Sequence, residues 1–241
     1  MVHEAELAGG QCVAVKVLRR EWLGDDFVVE RFEVEAIAGR LVRHPNVAAV
    51  IEHGETEDGV PFLIMERAHG EPLGLLVERD GPLPPRRAAA IAGQVLAGLD
   101  AMHRAGVVHG DIKSDNVLVE TLEDGTDAVK LVDFGLAQVQ STSASARSAP
   151  DMVAGTPDYM APEVICGRGA SPASDLYAVG VILYELITGA TPFGGGTAAQ
   201  VLQRHLQEDV VPPSLRAPGS IIPRGLERIV MRALQKHRRD R

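Results

Sequence analysis

The sequence predicts an α+β fold in two lobes, a small β-rich one over residues 1–68 and a larger, mostly α-helical one over 69–241. Three observations predict it. Short β-branched runs gather near the N-terminus, apolar positions at helical spacing take over beyond residue 85, and a Gly/Pro-punctuated connector lies between the two regimes. A cleft between two such lobes is the natural place for a ligand. The 241 residues, 45% hydrophobic and 24% charged, suffice for a real core and exclude global disorder.

Within the first lobe, Val13-Ala14-Val15-Lys16-Val17 reads as a strand running from Gln11 to Leu18, with Lys16 its one charged member. Asp26 to Val42 has helical period: Val28, Phe32, Glu35, Gly39 and Val42 fall on one stripe. Glu35 on that apolar stripe demands a partner, because a buried carboxylate is costly unpaired. After the His44-Pro45-Asn46 break, Val47 to Ile51 and Val60 to Glu66 read as a hairpin joined through Asp58-Gly59.

Gly70 to Pro85 is a connector with a short apolar helix, and Ile91, Val95, Leu99 and Met102 mark a long helix ending near Gly106. Val117 to Val119 and Val129 to Val132 are two short strands separated by a turn at Asp124-Gly125. Gln138 to Pro150, rich in Ser and Ala, reads as a mobile loop rather than an element. Leu176 to Ile187 is apolar nearly all round, the pattern of a central buried helix. The remainder, through Val201-Leu202 and Leu226 to Leu234, is helical and irregular.

Composition narrows the function. Lys and Arg number 24 against 33 Asp and Glu, a net −9, and no basic block interrupts the chain, which disfavours nucleic acid and membrane surfaces as partners. Cys12 and Cys166 lie far apart, indicating neither a disulfide framework nor a zinc site and fitting a reducing, cytoplasmic setting. The start lacks the basic and apolar regions of a signal peptide, and no window approaches the ~18 apolar residues of a membrane span. The eight histidines include no His-x-x-x-His pair, and no Gly-x-Ser-x-Gly elbow suggests a hydrolase.

The chemistry gathers around the two short strands. If they pair antiparallel, Asn116 before the first lies beside Asp133 after the second, and Asp111 stands five residues before Asn116. A loop Asp or Asn alone reads as turn chemistry. Three together, a carboxylate, an amide carbonyl and a further carboxylate, are hard oxygen ligands suited to Mg²⁺.

Here the sequence resembles a known family, the eukaryotic-like protein kinases, in particular the bacterial serine/threonine kinases. Val13-Ala14-Val15-Lys16, Glu35, His109-Gly110-Asp111-Ile112-Lys113-Ser114-Asp115-Asn116, Asp133-Phe134-Gly135, Gly155-Thr156-Pro157-Asp158-Tyr159-Met160, Ala161-Pro162-Glu163 and Ser174-Asp175-Leu176-Tyr177 occur in family order through nearly all the chain. The resemblance implies one protein kinase domain with a two-lobed fold, ATP and Mg²⁺ as cofactors, and protein substrates carrying Ser or Thr. It implies that Lys16 binds the α- and β-phosphates of ATP and Glu35 holds Lys16. By the same resemblance Asn116 and Asp133 hold Mg²⁺, Asp111 accepts the acceptor hydroxyl's proton, Lys113 stabilises the transferring phosphoryl, and Thr156 braces Asp111 and Lys113. Met65 resembles the gatekeeper, Glu66 and Ala68 offer backbone groups to adenine, and Ala14 and Leu118 sandwich the ring. His109 anchors the catalytic loop, Asp175 supports its backbone, and Glu163 pairs with a late arginine, for which Arg241 is the candidate.

Two departures carry expectations. No Gly-x-Gly-x-x-Gly precedes the lysine strand, and Met1 to Ala5 aligns with the stretch just after that loop, so the small lobe reads as incomplete with an unpaired sheet edge; the far end reads as short. The alternative function is therefore a catalytically weak kinase-like module that binds nucleotide and regulates. Gly110 stands where most members carry arginine, which usually receives an activation-loop phosphate. Replacing Ser141, Thr142, Ser143, Ser145 and Ser148 together by Ala is accordingly expected to change activity little. Small-molecule kinases share the His109-Gly110-Asp111 triplet, but Gly155 to Glu163 matches the protein kinases' platform for a peptide substrate.

Overall fold

The computed structural model describes residues 1–133, the backbone of 138–139, and residues 156–241. Strands β1 (Val2–Glu6) and β2 (Cys12–Val17) pair antiparallel, with Val2 opposite Lys16. Helix α1 (Asp26–Leu41) follows, and β3 (Val50–Glu55) and β4 (Pro61–Glu66) complete one sheet in the order β1-β2-β4-β3. Phe32, Ala36, Leu63, Val60 and Leu18 form the core between helix and sheet. Most of the helical stripe read from the sequence is buried: Phe32, Glu35, Gly39 and Val42 are buried, while Val28 at its start is half-buried. Gly39 allows α1 to touch β3, since a Cβ there would lie 2.2 Å from Val50 Cγ2.

Strand β3 begins three residues later than the sequence pattern suggests. Val47 forms a parallel bridge with Leu131 instead. Ala48 N–H donates to Leu131 O at 2.9 Å, and Leu131 N–H donates to Asn46 O at 2.9 Å. Backbone groups spent on this contact with the other lobe are not available to the sheet.

The larger lobe opens with β5 (Glu71–Pro72), α2 (Leu73–Asp80) and α3 (Pro85–Arg104), the last starting on a proline whose missing N–H costs nothing there. Strands β6 (Val107–Val108), β7 (Val117–Thr121), β8 (Asp127–Leu131) and β9 (Gln138–Val139) follow. Two expectations are corrected. Gln138–Val139 is not loop but a strand paired with β6, since β6 presents an edge two residues long that accepts a partner. In the β7–β8 hairpin Val117 faces Leu131, so Asn116 lies opposite Val132, not Asp133; the two functional positions are offset by one residue. The serine and threonine cluster from 141 to 148 lies outside the described residues, as do Phe134, Gly135 and Gly155.

Helices α4 (Pro162–Ile165), α5 (Pro172–Thr188), α6 (Ala198–Gln207), α7 (Pro213–Arg216) and α8 (Arg224–Ala233) complete the lobe. Helix α5 is its axis. A capping box between Ser171 and Ser174 starts it, and Gly189 in the left-handed conformation, φ 80°, ends it. Tyr177, Val181, Ile182, Tyr184 and Leu186 along it are wholly inaccessible and pack against α3 and α8. Each such side chain contributes roughly 1.5–3 kcal/mol of burial, which makes α5 a rigid base for whatever is anchored to it. Among the described residues, no helix is long and apolar enough to cross a membrane.

Candidate active site

Period-two alternation puts Ala14 and Lys16 on the same face of β2, and register places Met65 of β4 directly beside Ala14. Lys16 Nζ donates to both carboxylate oxygens of Glu35 at 2.8 Å and to Asp133 Oδ1 at 2.6 Å. The helix pattern's demand for a partner to Glu35 is thus met across the lobe by the one charged residue of the strand. Burial disfavours the Lys16 ammonium, yet the two carboxylates outweigh it and hold its pKa above the usual lysine value. Burial likewise disfavours ionised Asp133, and Lys16 reverses that, drawing its pKa below the usual carboxylate value. Lys16 and Asp133 therefore stay charged across the neutral range.

Asp133 stands just past β8 with φ 61°, the one non-glycine residue in the left-handed region among those described. Such a conformation is uncommon and persists where surrounding contacts impose it. Here it accompanies the turn of the carboxylate toward Lys16.

The loop after β6 holds the second cluster. Lys113 Nζ donates to Asp111 Oδ2 at 2.9 Å. Asn116 Nδ2 donates to Asp111 Oδ2 at 3.1 Å and to Asp111 O at 2.9 Å. Those donors orient the Asn116 amide so that its oxygen is the group remaining for another ligand. With the Asp133 carboxylate it forms a pair of hard oxygen donors, chemistry that fits Mg²⁺ completing its shell with phosphate and water. Thr156 lines one small cavity together with Gly110, Asp111 and Ile112.

Asp175, inaccessible near the start of α5, fixes this loop. Its Oδ1 accepts Gly110 N–H at 3.0 Å, and its Oδ2 accepts His109 N–H at 3.1 Å and lies 2.8 Å from His103 Nε2. Gly110 has φ 77°, a backbone state glycine adopts without strain. His109 is fully buried; its Nδ1 accepts Asp111 N–H at 3.3 Å, and burial lowers its pKa so that the ring stays neutral. A neutral acceptor at Nδ1 orients the Asp111 backbone.

At the connector, Lys130 Nζ reaches Glu66 Oε1 at 2.5 Å, tying β8 to the end of β4. Leu118 pairs with Lys130 across the hairpin and shares its face, so Leu118 looks toward the connector that carries Glu66 and Ala68. Glu163 and Arg241 meet in a bidentate pair at 2.6 and 2.7 Å, both side chains buried.

Several contributors escaped the sequence reading. Asn46, taken there as part of a chain break, donates to Gln94 Oε1 at 3.0 Å and Val129 O at 2.8 Å and pins α1's exit to the hairpin. Ser114 Oγ lies 2.6 Å from Tyr159 Oη, and Tyr159 donates to Glu185 Oε2 at 2.8 Å, joining the loop to α5. A polar residue inside an apolar helix was the available signal for Glu185; nothing local marked Asn46.

A lysine of the small sheet held by a helix carboxylate, together with a loop carboxylate flanked by lysine and asparagine in the helical lobe, makes up a phosphotransfer scaffold. The protein kinase domain profile matches residues 2–241, and the chain belongs to that family. It is 40% identical over 238 residues to serine/threonine-protein kinase pkn3 of Myxococcus xanthus, covering 98% of this chain and 44% of the relative. It is 38% identical over 241 residues to a probable serine/threonine-protein kinase of Corynebacterium efficiens, covering 98% of this chain and 36% of the relative. With serine/threonine-protein kinase PknB of Mycobacterium leprae the identity is 36% over 232 residues, 95% of this chain and 36% of the relative. The chain thus spans less than half the length of these curated relatives.

Proposed function

We propose that this chain transfers the γ-phosphoryl group of ATP to Ser or Thr hydroxyls of proteins, with Mg²⁺, in the cytoplasm of a bacterium. The observation that carries the reading is that Asp133, bound by Lys16 of the small lobe, also lies within electrostatic range of Lys113, which donates to Asp111 in the loop that bears Asn116. Lys16, held by Glu35, would bind the α- and β-phosphates. Asn116 and Asp133 would hold Mg²⁺, which supplies charge neutralisation of the phosphates. Asp111 would orient the acceptor hydroxyl and take its proton as the oxygen bonds to the γ-phosphorus and the bond to the β-phosphate oxygen breaks; Lys113 would balance the charge on the moving group. Glu66 and Ala68 would meet adenine with backbone groups, and Ala14 and Leu118 would flank the ring. Thr156 would brace Asp111. His109, Asp175 and Glu163 would act through the scaffold. The domain division at residue 68 belongs to the same reading.

Transfer of radiolabelled phosphate from ATP to a generic protein acceptor with Mg²⁺ tests it. Asp111→Asn and Asp133→Ala should each lower the rate at least a hundredfold. A chain that binds nucleotide but transfers nothing in any of the three forms would be a regulatory nucleotide-binding module.

A further inference from the structure

Helix α5 holds the loop that carries Asp111 at two points. The first is Asp175 near the helix start, which accepts the His109 and Gly110 N–H groups at 3.1 and 3.0 Å. The second lies downstream, where Ser114 Oγ stands 2.6 Å from Tyr159 Oη and Tyr159 donates to Glu185 Oε2 at 2.8 Å. Tyr159 has a single hydroxyl proton and gives it to Glu185, so its oxygen accepts and Ser114 donates. Asp175 and Glu185 are ten residues apart on α5, roughly 15 Å along its axis. Asp111 and Lys113, joined at 2.9 Å, fall between the two fastened positions, Gly110 and Ser114. Ser114 and Tyr159 are both buried, so no solvent stands ready to replace the bond between them. Helix α2 packs on the turn from Ser114 to Asn116, and Gly74 permits the approach, since a Cβ there would lie 3.1 Å from Ser114 Oγ. Burial raises the Glu185 pKa, and the Tyr159 and Ser114 hydroxyls oppose the rise. One anchor fixes where a loop sits but lets it pivot; two fix its orientation as well.

We propose that Ser114 is a positioning residue for phosphoryl transfer, its hydroxyl fastening the downstream side of the Asp111–Lys113 segment to α5 through Tyr159 and Glu185. The proposal rests on Asp111 acting on the acceptor hydroxyl, as read above. Tyr159 stands three residues after Thr156, in the segment that would receive a peptide, so the same hydrogen bond sets the loop against that segment. Orientation errors of about 1 Å can cost ~10²-fold in rate, so a modest loosening of the loop is measurable.

Steady-state transfer to a protein acceptor would be measured for Ser114→Ala, Tyr159→Phe and the double variant, with hydrogen exchange of the amides from Asp111 to Asn116 followed in each. Either single change should lower kcat about tenfold with the KM for ATP within about twofold, and should quicken exchange in the loop but not in α5. The double variant should fall less than about twofold below the weaker single, because both changes cut the same link. Three results would each overturn the proposal: full activity in Ser114→Ala, a loss expressed in the KM for ATP, or losses that multiply in the double variant. Tyr159→Phe breaks the link from its other side and keeps the ring in place, so it decides the matter should Ser114→Ala fail to fold. A native chain that transfers no phosphate, or transfers as well after Asp111→Asn, would instead refute the assignment of Asp111, and the role of Ser114 in transfer would fall with it whatever the exchange shows.

Discussion

Glu163 and Arg241 stand 78 residues apart and meet where neither side chain reaches water. Arg241 also donates to Ala173 O at 2.9 Å and stacks over the Tyr177 ring at 4.8 Å. Removing one partner of a buried pair strands the other charge, so Arg241→Ala should destabilise the protein by about 3–5 kcal/mol, read from the urea midpoint. Replacing both by apolar residues of similar volume should cost much less. A second residue-scale prediction concerns His205, wholly inaccessible, with Nδ1 2.8 Å from Tyr177 Oη. Burial, assisted by Lys236, lowers its pKa to about 4. Between the ordinary histidine value near 6.5 and about 4, the unfolded chain takes up a proton that the folded protein refuses. Stability must therefore fall as pH drops through that window, by roughly 2 kcal/mol at pH 5 from this group. His109 is shifted the same way by burial and adds to the slope. Urea unfolding at pH 7.5 and pH 5 should show the loss, and His205→Phe should shrink it; an unchanged difference would mean that His205 is not the source.

At the scale of elements, α1 and β3 approach so closely that one methyl group decides their contact. A Cβ at position 39 would lie 2.2 Å from Val50 Cγ2 and 3.0 Å from Val50 Cβ, so rotating the valine does not clear the clash. Helix propensity alone would make Gly39→Ala stabilising by about 1 kcal/mol. Overpacking costs typically 1–3 kcal/mol and should win, giving a lower thermal midpoint. Because α1 carries Glu35, the same change should raise the KM for ATP as the helix moves outward. A midpoint at or above that of the native protein would show that the interface yields. The register of β7 and β8 is a second lesson at this scale: the ladder sets Asn116 opposite Val132 and leaves Asp133 one residue further on, where its left-handed backbone accompanies the contact with Lys16.

Across the whole molecule, the lobes are joined by specific polar contacts as well as by the connector. Asn46 reaches Gln94 and the Val129 carbonyl, and Lys130 reaches Glu66. Asn46→Ala removes one donor from the Val129 carbonyl and one from Gln94 Oε1, which keeps the Val129 N–H, at a cost of about 1–3 kcal/mol. The loss should concentrate in the smaller lobe, whose helix and sheet pack on a core of Leu18, Phe32, Ala36, Val60 and Leu63 separate from the one that α5 runs through, even though Ala38, Val42 and Val47 join the latter. Hydrogen exchange should then quicken for amides of β1 to β4 and leave those of α5 unchanged; uniform quickening would indicate a single cooperative unit instead.

Much of the fold was legible in the order of local patterns. The strand bearing Lys16, the helix stripe with Glu35 and the wholly apolar α5 are each dictated by spacing of side chains within one segment, and burial rewards that spacing wherever the segment lands. The candidate site was legible as a set of residues, because its motifs stand in the family's order. What the sequence could not decide were contacts between distant segments: the pairing of β9 with β6, the one-residue offset in the hairpin, and Asn46 as a clasp between lobes. Each depends on where one backbone lies relative to another, and that position is settled by the packed core as a whole, whose geometry no window of neighbouring residues contains.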